Sequence, residues 1–235
     1  MESPLSLIAG GTGLVGSHVI KVLSKKSGEQ IILARSFNSE IPQNADLQII
    51  NFDSLSSNKV KLKNDIDHVY LCLGKRLSTH ELGYMQHSAR ESFKLIDFEY
   101  PLSIAKLAYD SGARSIALVS AVGAQEGSFN YYFHIKGKLE NEIRKIGYEN
   151  ICFARPGHLL GARKDFRGYE IPILESGLRI AAPFMQGPLK NFRQIEARKV
   201  AESMVMNLLN KQKGESYLYY EDFLKTEKLF ALFTT

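Results

Sequence analysis

The segment LSLIAGGTGLVG, Leu5–Gly16, decides the architecture. Leu5–Ala9 is a short apolar run suited to a strand, and Val15, Val19, Val22 and Leu23 then recur at helical spacing. A glycine turn joins the two. Gly10 supplies the positive φ of a tight turn, a backbone without Cβ atoms admits a diphosphate, and Gly16 lets the helix pack on the strand. The start of that helix directs unpaired N–H groups and the positive end of its dipole to the same place. Strand, glycine turn and helix in this order predict a dinucleotide site built from Gly10, Gly11, Thr12, Gly13, Leu14, Val15 and Gly16.

Further along the chain, strands are expected at 5–9, 30–34, 47–52, 67–73, 115–120, 150–155 and 216–220. Ile135, Leu139, Ile143 and Ile146 repeat at helical spacing, as do Ala197, Ala201, Met204, Val205 and Leu208. Doubly buried strands alternating with helices predict a single α/β domain over residues 1–235, a Rossmann-type, doubly wound parallel sheet of about seven strands. Residues 157–195 break the alternation with five glycines and three prolines. The stretch 158–195 reads as a substrate lid, or as a surface excursion with one short helix, Ile173–Ile180.

The 235 residues are 44% hydrophobic and 23% charged, which excludes disorder and disulfide-stapled miniproteins. Cys72 and Cys152 sit in apolar runs and read as reduced core residues. No apolar run approaches the roughly 18–20 residues of a bilayer span, so no membrane span is expected. The first residues lack the basic region and cleavage site of a secretory signal, and a cytoplasmic location is the expectation. The net charge of +5 is spread over scattered Lys and Arg, so nucleic acid is not an expected partner. No metal is expected.

The glycine turn resembles the GxTGxxG turn of extended and atypical short-chain dehydrogenases/reductases. Where an NAD enzyme of this fold places an acid against the ribose 2′-hydroxyl, the chain has Arg35 and Ser36. A guanidinium fork suits a 2′-phosphate, so NADP(H) is favoured over NAD(H), unless Arg35 is a solvated strand-end charge. Ser120 ends a strand, and Tyr132 and Lys136 share one face of a helix at i, i+4. This set resembles the reductase triad. The resemblance implies that Tyr132 exchanges the proton, Lys136 lowers its pKa from about 10 and holds the nicotinamide ribose, and Ser120 bonds the substrate oxygen. It further implies that Asp53 touches the adenine, its alternative being a cap for a turn at Ser54–Ser57. Leu73 and Gly74 would line the cofactor groove, and Pro156 and Gly157 would face the nicotinamide amide or serve as a rigid turn. His134 lies between Tyr132 and Lys136 but points elsewhere and reads as structural.

The stretches HVYLCLG, FKLIDFEYPLSIAKLAYDSGA, ALVSAVGA, YYFHIKGKLE and FARPGHLLGARKDFRGYE are similar to one atypical branch, that of the human Tat-interacting oxidoreductase and its bacterial relatives. Arg163, Arg167 and Glu170 carry that branch's R-x-x-x-R-x-x-E pattern. Two departures stand out: residues 75–92 are long and polar, and Asp97 occupies the place of an Asn that anchors a water relay in many reductases. The resemblance implies an NADP(H)-dependent oxidoreductase acting on a small carbonyl or alcohol substrate. The alternative is a dinucleotide-sensing regulatory protein that binds a protein partner without significant turnover. The polar outer face of the Tyr132 helix, with Lys138, Glu142 and Lys145, predicts a monomer or weak dimer.

Overall fold

The computed structural model describes residues 4–25, 29–35, 45–57, 62, 65–161, 185–210 and 213–233. In chain order its strands are β1 (Ser6–Ala9), β2 (Gln30–Ala34), β3 (Asp46–Ile49), β4 (His68–Leu71), β5 (Ser115–Val119), β6 (Asn150–Ala154), β7 (Leu159–Leu160), β8 (Ile195–Glu196) and β9 (Gly214–Leu218). Its α-helices are α1 (Leu14–Lys25), α2 (Thr79–Gly83), α3 (His87–Lys94), α4 (Tyr100–Asp110), α5 (Tyr131–Arg144), α6 (Ala197–Leu209) and α7 (Tyr220–Phe233). Seven strands form one parallel sheet in the order β3-β2-β1-β4-β5-β6-β9. The expected Rossmann-type architecture is therefore present.

Alternation along each strand splits the apolar side chains between two layers. Leu7, Ile31, Val69, Leu71, Ile116, Leu118 and Phe153 pack with Ile104, Ala105 and Ala108 of α4 and Ile135, Leu139 and Ile143 of α5. Ile8, Ile32, Tyr70, Ala117 and Cys152 pack with Val19 and Ile20 of α1 and with Val200, Met204 and Leu208 of α6. Both cysteines are free, and burial pushes the Cys152 thiol up to about 12.

Five strands end one to three residues earlier than the pattern suggests, β3 and β9 for identifiable local reasons. The side chain of Asn51 accepts from the Asp53 amide at 3.0 Å and opens a 3-10 turn over Phe52–Ser57, so β3 stops at Ile49. Asp222 accepts from the Tyr219 amide at 3.0 Å, so β9 runs 214–218 and the chain turns into α7. The 158–195 stretch lies mostly outside the described residues, as do Ser36, Arg163, Arg167, Glu170 and Ile173–Ile180. Its two ends meet in a parallel ladder, Leu159 with Ile195 and Leu160 with Glu196.

The polar 75–92 segment folds into α2 and the first turns of α3. A reciprocal capping box of Ser78 and Glu81 starts α2. Between α3 and α4 the helix widens into one π turn, Leu95–Glu99, with Tyr100 N–H bonded to the Leu95 carbonyl. Pro101 is the cause: it has no N–H for the Asp97 carbonyl, and its ring would strike that carbonyl in a regular helix.

Strand order reverses about β1 and β4, and in open α/β sheets ligands bind outside the carboxyl ends of the strands at that point. Helix α5 rims the same edge, pressed from outside by the 125–126 loop. A Cβ on Gly137 would lie 2.3 Å from the Gln125 carbonyl carbon and 2.4 Å from the Glu126 nitrogen. Gly137→Ala is expected to destabilise the fold by about 1–3 kcal/mol, the usual range for overpacking. Chemical denaturation checks this, and an unchanged midpoint would mean that the loop moves aside freely.

Candidate active site

The glycine turn follows β1 directly. Gly10 has φ +84°, and a Cβ there would sit 2.6 Å from the Cys72 carbonyl group at the end of β4. A Cβ on Gly16 would lie 2.2 Å from the Gly10 oxygen, and one on Gly11 2.7 Å from Cδ1 of Ile20. The turn is closed by Gly13 N–H to the Gly10 carbonyl at 2.9 Å. Thr12 is exposed, Gly13 and Leu14 are half-buried, and Val15 is a core residue of α1. No acidic residue occupies the first turn of α1, so the helix dipole faces the turn unopposed. These residues fit a diphosphate.

Arg35 is exposed at the end of β2. Asp53 accepts a short hydrogen bond from the Tyr100 hydroxyl, and that bond pushes the phenol up to about 12. Asn51, rather than Asp53, caps the 3-10 turn. Asp53 is therefore exposed with one oxygen already taken by Tyr100.

Helix α5 starts where its sequence says it should. Asn130 accepts from the amides of Tyr132 at 2.9 Å and Phe133 at 3.3 Å. Its own amide nitrogen donates to the Leu82 carbonyl at 2.8 Å, tying α5 to α2. Tyr132 stands half-buried against Phe93, with ring centroids 5.8 Å apart. One turn on, the Lys136 ammonium lies 2.9 Å from Asp97 Oδ1, with both side chains 5% exposed or less. The other Asp97 oxygen accepts the Lys75 amide at 2.6 Å. Gly74 leaves room beside this pair: a Cβ there would come 3.3 Å from Asp97 and 4.0 Å from Lys136 Nζ. Leu73 precedes it, its amide nitrogen close beneath Gly10.

Burial pushes the Tyr132 phenol above its ordinary value, Lys136 pulls it down, and Asp97 pushes it back up. The net direction is upward, opposite to the lowering expected from Lys136 alone, because burial disfavours the phenolate and Asp97 offsets part of the pull of the ammonium. Burial works against the Lys136 ammonium too, but Asp97, Tyr132 and Glu140 together outweigh it and Lys136 is held above the usual lysine range.

Ser120 is placed differently from the expectation. Its hydroxyl donates to Glu140 Oε1 at 2.5 Å, below the surface. Glu140 is 1% exposed and takes both ends of the Arg155 guanidinium, at 2.9 and 2.5 Å. Arg155 also donates to the Tyr219 hydroxyl at 2.9 Å. The structure thus brings Tyr132, Lys136 and Asp97 into one cluster and directs the Ser120 proton into a second, one helical turn further along α5. The Pro156 carbonyl accepts the Val122 amide at 3.1 Å, and a Cβ on Gly157 would meet the Arg193 carbonyl at 2.7 Å, so this turn is held as a rigid strand end. His134 bonds the Glu126 carbonyl away from Tyr132, as its helical angle implied.

The profile of the NAD dependent epimerase/dehydratase family matches residues 6–169. The chain belongs to that family. Protein FMP52, mitochondrial, of Candida albicans is 30% identical over 210 residues, 87% of this chain and 89% of that protein. Protein HTATIP2 of Rattus norvegicus is 24% identical over 172 residues, 71% of this chain and 67% of its own, in line with the atypical short-chain reductase branch. Among solved structures, human epimerase family protein SDR39U1 with NADPH superposes with TM-score 0.63 at 17% identity, covering 92% of this chain and 74% of that one. The UDP-Glc/GlcNAc 4-epimerase of Campylobacter jejuni reaches 0.67 at 13%, covering 93% and 79%.

This epimerase/dehydratase member has several FMP52 relatives, all named as mitochondrial, and those names overturn the cytoplasmic expectation. That expectation rested on reduced cysteines and a missing secretory signal, and neither separates cytoplasm from mitochondrion. Among the described residues no helix is long and apolar enough to cross a membrane.

Glu140, Asn130 and Gly137 were not singled out from sequence. Asn130 had a signal, an N-cap residue just before a helical run. Glu140 had a fainter one, an acid next to the core position Leu139 and one turn before Ile143. Glu140→Ala leaves the Arg155 charge unpartnered in the interior. It is expected to cost about 3–5 kcal/mol of stability, measured by denaturant titration. A loss below 1 kcal/mol would show that Arg155 reaches solvent unaided.

Proposed function

We propose that the protein is an NADP(H)-dependent oxidoreductase acting on a carbonyl or alcohol. Tyr132 would act as the proton donor or acceptor, and Lys136 would hold the nicotinamide ribose. The observation that carries this reading is the buried Lys136 ammonium one helical turn from Tyr132, beside the Gly74 opening at the strand ends. When bound, the nicotinamide supplies or takes the hydride.

The rest falls to this chain. The Gly10–Gly16 turn and the start of α1 cradle the phosphates. Arg35 grips a 2′-phosphate with its fork, which favours NADP(H); the NADPH of the human SDR39U1 structure is consistent with this, while other neighbours carry NAD. Asp53 meets the adenine amino group with the oxygen that Tyr100 leaves free. Leu73 and Gly74 line the groove, and Pro156 and Gly157 back the nicotinamide end. Ser120 joins the substrate oxygen by turning its hydroxyl from Glu140. Residues 158–195 shape the substrate pocket. The surface pairing of Glu142 with Lys145 at 2.6 Å fits a monomer or weak dimer, and the FMP52 names carry over a mitochondrial location.

A second reading, a dinucleotide-responsive binding protein, draws on the commitment of Ser120 to Glu140. A carbonyl panel with NADPH separates the two. Tyr132→Phe is expected to lower turnover about 10²–10⁴-fold with cofactor binding intact, whereas Lys136→Ala weakens both. Turnover that survives Tyr132→Phe overturns the catalytic reading. Titration calorimetry with both cofactors tests Arg35: its alanine variant is expected to lose the preference for NADP(H), and equal wild-type affinities would refute it.

A further inference from the structure

We propose that Asp97 is a positioning residue whose carboxylate offsets the Lys136 ammonium and adds to burial in holding the proton on Tyr132, fitting the site to carbonyl reduction at neutral pH. The inference rests on the catalytic reading of Tyr132 and Lys136 above. Both Asp97 oxygens are fixed, one by Lys136 Nζ at 2.9 Å and the other by the Lys75 amide at 2.6 Å. Asp97 is 1% exposed, so water does not screen its charge. Pro101 and the π turn that it enforces place this residue.

The surrounding charges leave Asp97 and Lys136 as the opposing pair at Tyr132. On α5, Glu140 is occupied by Arg155. In the loop after β4, the Lys75 ammonium turns outward to Ser92 Oγ at 2.9 Å. On α3, Arg90 lies over the Tyr131 ring, 4.8 Å from its centroid. At the end of β5, Ser120 is uncharged. The charges acting on Tyr132 are those of Lys136 and Asp97, with opposite signs.

In the reductive direction a hydride from a reduced nicotinamide adds to the carbonyl carbon, and the C=O π pair moves onto oxygen. That oxygen takes the phenolic proton, giving an alcohol and leaving Tyr132 as phenolate. The reverse direction needs the phenolate at the outset, which Asp97 disfavours. The overall equilibrium is untouched; what Asp97 sets is the pH at which each direction runs.

The chain has eleven tyrosines and no tryptophan, so phenolate formation is readable by near-ultraviolet absorbance, and subtracting a Tyr132→Phe titration isolates Tyr132. In Asp97→Asn its phenolate is expected about 1–3 pH units lower than in the wild type, with the rising, acid-side limb of alcohol oxidation moving in step. Asp97→Glu, which keeps the charge, is expected to restore the wild-type position. An unmoved Tyr132 titration in Asp97→Asn, or equal shifts in the Asn and Glu variants, overturns the proposal. Should Asp97→Asn not fold, Asp97→Asn with Lys136→Gln removes both charges together. Tyr132 then titrates near its wild-type position, and a displacement of more than about one unit overturns the proposal. The absorbance titration needs no substrate. Failure of the oxidoreductase reading would appear as missing turnover, and failure of this inference as an unmoved phenolate.

Discussion

Two charges of opposite sign lie one turn apart on the inner side of α5, Lys136 and Glu140, and neither can stay in the interior alone. Moving an unpaired ion out of water costs several kcal/mol, so each needs a partner from another part of the chain. Lys136 finds Asp97 on the π turn, and Glu140 finds Arg155 at the end of β6. These pairs fix the rotation of α5 about its axis and its height against the sheet. Tyr132, one turn before Lys136, inherits that placement, and Asn130 sets where the helix begins. The position of the phenol thus follows from electrostatic necessity as much as from the apolar seam of Ile135, Leu139 and Ile143.

The same constraint redistributes the expected triad. A serine at the end of β5 on this face of the sheet points at α5, and the nearest strong acceptor there is the Glu140 carboxylate. A hydrogen bond to a buried charge is among the stronger kinds, so the Ser120 proton goes to Glu140. In return Ser120 helps satisfy a carboxylate that also carries the Arg155 guanidinium. The strand end, helix α5 and the turn after β6 are therefore coupled through one acid. Arg155 extends the coupling to Tyr219 after β9, and it lies over the Tyr217 ring, 4.7 Å from its centroid.

What could be read in the sequence is what depends on local pattern. The seven strands and the helices α1, α5 and α6 show as apolar periodicity, and the turn at Gly10 shows because close approach to Cys72 tolerates no side chain. Tyr132 and Lys136 share a face at any i, i+4 spacing. The pairings of Asp97 with Lys136 and of Glu140 with Arg155 join residues 39 and 15 positions apart, and a single sequence offers no local signal for the partner. Pro101 is the exception. It announces a break in the helix, but only the structure shows that the break takes the form of a π turn and turns Asp97 inward.

The direction of the Tyr132 shift shows how residue type can be right and chemistry still incomplete. A lysine one turn from a tyrosine suggests a lowered phenol, and in water-exposed surroundings the pair would behave so. Here burial acts first, against the phenolate, and Asp97 offsets part of the lysine's pull. A site that excludes water strengthens every remaining charge interaction. Burial and the net charge of the cluster, rather than the lysine alone, then decide which proton is held. The Lys136 ammonium and the Asp97 carboxylate are held together at 2.9 Å, so a movement of either one changes the charge that the pair presents to Tyr132.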